Sequence, residues 1–507
     1  MSKRICNGRN RIRKRNLKLE TTIEYMNADG SALDPALLPC EVGSFAIDSR
    51  EVEDGGLFFA LSQPEYKDNC FNGDFEDSTQ YVPSAFENGA VACIVRPDRY
   101  DEHAGALEAY RDRLIFVDDA IFAFQNLAHG VYLEWDKPVV AITGSAGKTT
   151  AKELTAHVLE AGGRKVLRNI KNYNNGLGHP LTVMNLATDP SYDVAVLEMG
   201  MSTPMHEIAR LCRITPPDVA VELNVLPVHV EHLGSIENVA RAKAELIEGM
   251  KPGGVAVLNA DDPRVAKMSD LSKGRTISYG IETPADIRAE NIRFERFGET
   301  KFTLTHAEDQ AEVIFPLNGR HNILNALAAA AVGVSFSMTV DQIAAGLASV
   351  APPPQRGEVL HFEAGFTVIN DSYNSNPDAL LSMVRTLIEG SISSKRRIVV
   401  AGEMLELGSD ECRIHRETGQ KIGEAGINIL IGVRGLANEL IAGAIDAGLT
   451  DARFAENSDV AGEMLAGIIS DGDVVLVKGS RGVKTEKVIE KLLEKFEVEG
   501  KSNAVTK

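Results

Sequence analysis

Aromatic side chains are scarce in this 507-residue chain: Phe, Tyr and Trp together make up 6%, with a single Trp. Core volume must therefore come from aliphatic residues, within a hydrophobic share of 44% that excludes wholesale disorder. Cysteine is also sparse. Cys6, Cys40, Cys70, Cys93, Cys212 and Cys412 are scattered with no CxxC pair, and in a chain this long they read as reduced thiols in a cytoplasmic setting and not as a disulfide framework. No apolar run reaches the roughly 18 residues of a membrane span, and the most suggestive, Ala326–Phe336, falls well short. Basic residues are outnumbered, 53 Lys and Arg against 72 Asp and Glu, so the formal charge is −19. Such an exterior repels phosphate backbones and argues against stable nucleic-acid or anionic-membrane binding. The one exception is the first eighteen residues, which hold eight Lys or Arg and no acid. Without an apolar stretch behind them they are no secretory signal; residues 1–18 read as a basic disordered extension, with a nucleic-acid contact as the other reading.

The length suggests about three domains. From 19 to 137, short apolar runs (Phe45–Ile47, Leu57–Leu61, Val91–Val95, Leu114–Val117) alternate with polar or helical stretches. The acidic, aliphatic-poor Gln63–Gln80 reads as a surface loop. From 138 to 351 the pattern is strand, glycine turn, helix, with Val139–Gly144, Val194–Gly200, Val219–Val225 and Val255–Asp262 as near-continuous Val/Ala/Leu runs. Runs of that kind suit parallel strands buried on both faces, with ligands gathering at their carboxyl ends. Between Phe294 and Leu317 the period changes to two, which predicts a small antiparallel insert, and Gly319–Val332 returns to helix. Three prolines open the linker Pro352–Glu358, and a third α/β unit follows to 507, with strands at Arg397–Gly402, Ile427–Val433 and Asp473–Gly479.

The strongest chemical signal is TGSAGKTT, Thr143–Thr150, between a predicted strand and a predicted helix. Backbone N–H groups of Gly144, Ser145, Ala146 and Gly147 at a helix N-terminus can cradle phosphate, Lys148 adds a charge, and Thr149 offers a hydroxyl to Mg²⁺, with Thr150 beside it. The usual pattern places a glycine where Ile142 stands, and Gly144 supplies the earlier one. Glu198 ends a strand as a carboxylate suited to Mg²⁺ or to a helix cap. His229 lies beside Glu231 and His232; the two histidines also admit zinc, although no third nitrogen or sulfur ligand is evident. Lys243 reads on its own as an exposed helix lysine.

TGSAGKTT, KNYNNGLGHPLT (Lys171–Thr182), LEMG, HVEHLGSIENVARAKAEL, GRHNILNALAA, NDSYNSNP (Asn370–Pro377), GEMLELG (Gly402–Gly408) and VKGSRG (Val477–Gly482) occur in that order. Together they resemble the Mur ligases of peptidoglycan synthesis, and the likeness runs from about Ser44 to Leu492. NNGLGHPLT, DSYNSNP and GEMLELG point to the dipeptide-adding branch. The resemblance implies an α/β protein of three domains: one for the UDP end of the substrate (19–137), a central P-loop mononucleotide-binding domain (138–351), and a C-terminal Rossmann-like domain (352–507). It implies ATP and two Mg²⁺ ions as cofactors, with UDP-N-acetylmuramoyl-tripeptide and D-alanyl-D-alanine as substrates; a monomer is expected. Carried over by motif, Ser49 and Arg50 contact the uridine diphosphate, and Asn174 and Asn175 lie on the substrate side. Glu198 and His229 ligate Mg²⁺, and Lys243 carries a CO₂-derived carbamate. Asn322 and Asn325 line the adenine side, Arg356 and Asp371 approach the nucleotide, and Lys478, Ser480 and Arg481 lie near the incoming peptide.

The implied reaction is ATP-driven amide formation through an acyl phosphate, with Lys148, Lys243, His229 and Arg356 at the chemical centre. Two departures stand out. Ser78-Thr79-Gln80-Tyr81 replaces the family's usual GHxF stretch, so a uridine-side histidine is missing there, and Glu403 stands where Asp is usual. A sibling or folylpolyglutamate-type ligase, a nucleotide-gated module without turnover, and a simple P-loop kinase are the competing readings.

Overall fold

The computed structural model describes residues 17–69, 71, 76–170, 172–201, 206–227, 233–350, 355–391, 394–405 and 407–499. The basic arm therefore lies outside the described residues, as do His229, Glu231 and His232. The chain forms two compact units: Met1–Ala141, Arg164–Ala220 and Ala242–Gly254 make the first, and Ile142–Gly163, Val221–Arg241 and Val255–Lys507 the second. The strands Val139–Thr143 and Val219–Glu222 are themselves cut by this division.

In the first unit, Phe45–Ala46, Leu57–Phe59, Ala92–Val95 and Leu114–Phe116 pair in chain order as a parallel sheet. The middle strands, Leu-Phe-Phe and Ala-Cys-Ile-Val, are buried at every position, as both-faced burial of a parallel strand requires. Asp119 caps the helix Ala120–Trp135 by accepting from Phe122 N–H at 2.9 Å, and the helix ends on Asp136 in the left-handed region at φ 47°. Val166–Arg168 and Val194–Glu198 pair in parallel, with Val166 opposite Val194.

The expected surface loop at Gln63–Gln80 is corrected in part. Gln63–Asp68 is a helix and Ser78–Tyr81 a 3₁₀ turn, and Glu65, Ser78 and Thr79 are buried. Ser62 and Glu65 form a capping box, in which Glu65 accepts from Ser62 N–H at 2.6 Å. Its other oxygen accepts from Ala120 N–H at 2.9 Å, tying this helix to the start of Ala120–Trp135. Burial pushes the Glu65 carboxyl up to about 7, against those two hydrogen bonds and Arg96. Because the folded value lies above the ordinary glutamate value, the folded state holds the extra proton. The associated stability is present below the unfolded value and is lost as pH rises through about 7. Glu65→Gln should therefore gain on the wild type by about 1–3 kcal/mol in urea unfolding between pH 5 and pH 8. His179 and His321, whose values burial lowers, titrate with the opposite sign but cancel in the difference. Parallel pH profiles would contradict this assignment.

In the second unit, Val255–Asn259 and Arg275–Gly280 are parallel, and Ile287–Arg296, Glu299–His306 and Asp309–Phe315 form the expected antiparallel insert. The insert begins earlier than its period-two pattern because Ile287–Arg296 is bulged between Glu290 and Arg293, with Asn291 at φ 53°. The helix Arg320–Ser335 is alanine-rich and largely buried. Gly346, on the following helix, lets it approach Lys148–Ala161 closely, since a Cβ there would stand 3.2 Å from Val158 Cα. The C-terminal sheet has the order Glu358–His361, Thr367–Asp371, Asp473–Lys478, Arg396–Gly402, Ile429–Val433, Ala452–Ala455, antiparallel only at the first pair. Val399, Leu430 and Leu476 enter one apolar cluster while Val400, Ile431 and Val477 enter another, so both faces are covered.

Candidate active site

The glycine loop expected to bind phosphate lies in the second unit, between the strand end at Thr143 and the helix Lys148–Ala161. Gly147 is the N-cap at φ 85°, and a Cβ there would come 2.6 Å from Asn325 Oδ1, so only glycine fits. Asn224, unnoticed in the sequence, holds the loop from the side. Its carbonyl accepts from Ser145 N–H at 2.9 Å, its Oδ1 accepts from Ala146 N–H at 2.9 Å, and its Nδ2 donates to Ala146 O at 3.0 Å. Ser145 Oγ accepts from Leu226 N–H at 2.9 Å. Lys148 Nζ donates to Gly144 O at 2.8 Å, folding back over the loop that precedes it. Thr149 and Thr150 are half-buried in the first helical turn. Gly147 has no side chain with which to cap this helix, and the positive end of the helix dipole is directed at the loop. Asn322 and Asn325 are both buried on the helix Arg320–Ser335, where Asn322 Nδ2 donates to Asn318 O at 2.8 Å.

In the first unit, Glu198 ends its strand 4% exposed, and Asn174 Nδ2 donates to its Oε1 at 2.8 Å. Gly200 makes room for this contact, since a Cβ there would meet Asn174 Cγ at 2.8 Å. Asn169 is another residue that the sequence does not single out. Buried one position beyond Val166–Arg168, it accepts from Glu198 N–H at 3.0 Å and donates to Glu198 O and Tyr173 O, both at 2.9 Å. Its amide replaces the strand ladder where the backbone turns away, and so fixes the asparagine loop to the Glu198 strand. Asn169→Ala should cost about 2–4 kcal/mol in chemical denaturation, because the groups it serves stay buried; a loss below about 0.5 kcal/mol would contradict this. Asn175 Oδ1 accepts from Gly178 N–H at 2.8 Å, securing the start of Gly178–Val183. Lys243, expected from its surroundings in sequence to be exposed, is 2% exposed on the helix Ile236–Glu248. Ser49 is buried and Arg50 exposed on a 3₁₀ turn, where Arg50 Nη2 donates to Asp48 Oδ2 at 2.6 Å.

The C-terminal sheet brings together four of the expected residues at its strand ends. Asp371 and Lys478 are register partners on adjacent parallel strands, and Lys478 Nζ donates to Asp371 Oδ2 at 2.5 Å and to Asn374 O at 2.8 Å. Ser480 Oγ accepts from Leu405 N–H at 3.0 Å and donates to Ser375 O at 3.3 Å. Arg481 Nη1 donates to Gln355 Oε1 at 3.3 Å. The His321 imidazole faces Asp371 and Lys478; burial pushes it down to about 4, with the Asp371 carboxylate opposing, so it is neutral at pH 7. Glu403, in place of the usual Asp, accepts from Leu436 N–H at 2.9 Å and so remains a backbone anchor.

A glycine loop at a helix N-terminus and an α/β sheet with charged strand ends are an architecture suited to nucleotide-dependent enzymes. The Mur ligase middle domain matches residues 142–333, and the glutamate ligase domain of Mur ligases matches residues 355–481. The chain is 32% identical over 470 residues to the UDP-N-acetylmuramoyl-tripeptide–D-alanyl-D-alanine ligase of Bacillus subtilis, covering 92% of this chain and 96% of that protein. It is 34% identical over 452 residues to the ligase of the same name from Escherichia coli, covering 88% and 93%. The chain belongs to the Mur ligase family. Among solved structures, the MurF ligase from Thermotoga maritima in complex with ADP superposes with a TM-score of 0.75 at 27% identity, over 89% of this chain and 97% of that one. Among the described residues no helix is long and apolar enough to cross a membrane.

Proposed function

We propose that the chain is the D-alanyl-D-alanine-adding Mur ligase: it joins that dipeptide to UDP-N-acetylmuramoyl-tripeptide, with release of ADP and phosphate. The observation that carries this reading is the braced phosphate loop, in a chain matched along nearly its whole length by ligases of that name. Residues 19–137 receive the UDP end through Ser49 and Arg50, residues 138–351 bind ATP, and residues 352–507 present the dipeptide side. Gly144–Thr150 take the phosphates; Asn322 and Asn325 face the adenine, and Arg356 and Asp371 reach the nucleotide from the C-terminal sheet. Asn174 and Asn175 lie on the tripeptide side, and Lys478, Ser480 and Arg481 near the incoming amine.

A peptide carboxylate is a poor electrophile at neutral pH. In the proposed mechanism its oxygen attacks the γ-phosphorus and ADP leaves. The dipeptide amine then attacks the acyl carbon, the C–O bond to phosphate breaks, and the amine proton is lost. Lys148 and Arg356 oppose the charge that builds on the transferred phosphoryl group, where such donors act mainly by position and field. The neutral form of His321 leaves Asp371 free to pair with Lys478. The donor set of Thr149, Glu198 and His229 is mostly hard oxygen, and the buried Glu198 carboxylate with its Asn174 support fits Mg²⁺. Bound there, two Mg²⁺ ions would neutralise phosphate charge. Lys243 is buried, and an N–C bond to CO₂, with loss of a proton, would convert its amine to an oxygen donor. Phosphate release from ATP with UDP-tripeptide, with and without D-alanyl-D-alanine, tests the function. Release requiring both is expected, and release indifferent to the dipeptide would overturn it.

A further inference from the structure

Tyr373 lies two residues past the strand Thr367–Asp371, half-buried, with two guanidinium groups on its ring. Arg356 Cζ is 4.0 Å from the ring centre and Arg481 Cζ 5.5 Å. The same two elements are joined through Gln355. Its carbonyl accepts from Tyr373 N–H at 3.2 Å, and its side-chain oxygen accepts from Arg481 Nη1 at 3.3 Å. Gln355 has φ 61°, a left-handed conformation that non-glycine residues adopt only when their surroundings impose it. These bonds impose it, and they set the direction in which the chain enters Arg356. Among the described residues Arg356 has no carboxylate partner, while Arg481 meets Glu486 at 3.5 Å. Two cations on one ring repel each other; the negative ring face offsets part of that repulsion, and an anion brought to either cation relieves more.

We propose that Tyr373 is a positioning residue that, with Gln355, couples the nucleotide site to the peptide site by seating Arg356 and Arg481 on one ring. This rests on the ligase function proposed above, which places Arg356 at the nucleotide and Arg481 at the peptide. Removing Arg481 frees one side of the ring and of Gln355, and so loosens Arg356, although Arg481 itself does not touch the nucleotide.

Affinity for a fluorescent N-methylanthraniloyl-ADP, measured on the full chain, tests the coupling without turnover; wild-type phosphate release with both substrates tests the ligase function separately. R481A is expected to weaken nucleotide binding roughly three- to tenfold in the wild-type background and by less than about twofold in an R356A background. Y373L should behave as R481A does, and Y373F, which keeps the ring face, should stay within about twofold of wild type. An unchanged affinity in R481A, or the same factor in both backgrounds, would overturn the proposal. So would a loss in Y373F equal to that in Y373L, which would assign the effect to the hydroxyl. Arg481 is exposed, so the R481A and R356A cycle decides the matter even if Y373L fails to fold.

Discussion

Replacing Lys148 with alanine should lower kcat/KM for ligation by roughly 10²–10³-fold, the loss typical of one preorganised donor at a developing negative charge. Its Nζ donates to Gly144 O at 2.8 Å, so the charge already lies over the loop. The loop itself is kept in shape by Asn224 and by Gly147, not by the lysine. The variant should therefore fold with an unfolding midpoint within a few degrees of wild type. Steady-state phosphate release with both substrates, alongside thermal unfolding, separates the two effects. A variant with wild-type turnover would remove Lys148 from the nucleotide site.

Lys243→Ala should be at least as damaging to turnover, and for a different reason. An ammonium about 4 Å from a divalent cation would be repelled by roughly 8 kcal/mol at an effective dielectric of about 20, so an unmodified lysine is the wrong charge for its proposed place. As a carbamate it supplies oxygen donors with a negative charge. The alanine variant loses those donors and leaves a cavity of side-chain size in a buried helix position. Activity should fall by about 10³-fold and recover in part when a short-chain carboxylic acid is added, because the acid can enter that space and restore an oxygen ligand. Unchanged activity, or a deep loss that no carboxylic acid relieves, would contradict the carbamate.

The legible parts of this chain are those whose signal is local. Val139–Thr143, Val194–Glu198 and Val255–Asn259 announce buried parallel strands by composition, and the glycines at 144 and 147 announce the phosphate loop. Asn169, Asn224 and Tyr373 were illegible because their partners lie far along the chain and a lone Asn or Tyr has no pattern. The burial of Lys243 was hidden for the same reason. The helix at Gln63–Asp68 carried a signal that composition overrode: Ser62-Gln63-Pro64-Glu65 has the spacing of a capping box with proline in the first turn. In Ile287–Arg296, two register shifts broke the alternation that marked Glu299–His306 and Asp309–Phe315.

The central claim is that the tripeptide carboxylate is activated by phosphoryl transfer from ATP before the amine arrives. Ligation with UDP-tripeptide carrying ¹⁸O in its terminal carboxylate tests it directly, by mass analysis of the released phosphate. The mechanism requires one labelled oxygen to pass into phosphate for each amide formed. Amide formation with unlabelled phosphate would contradict it.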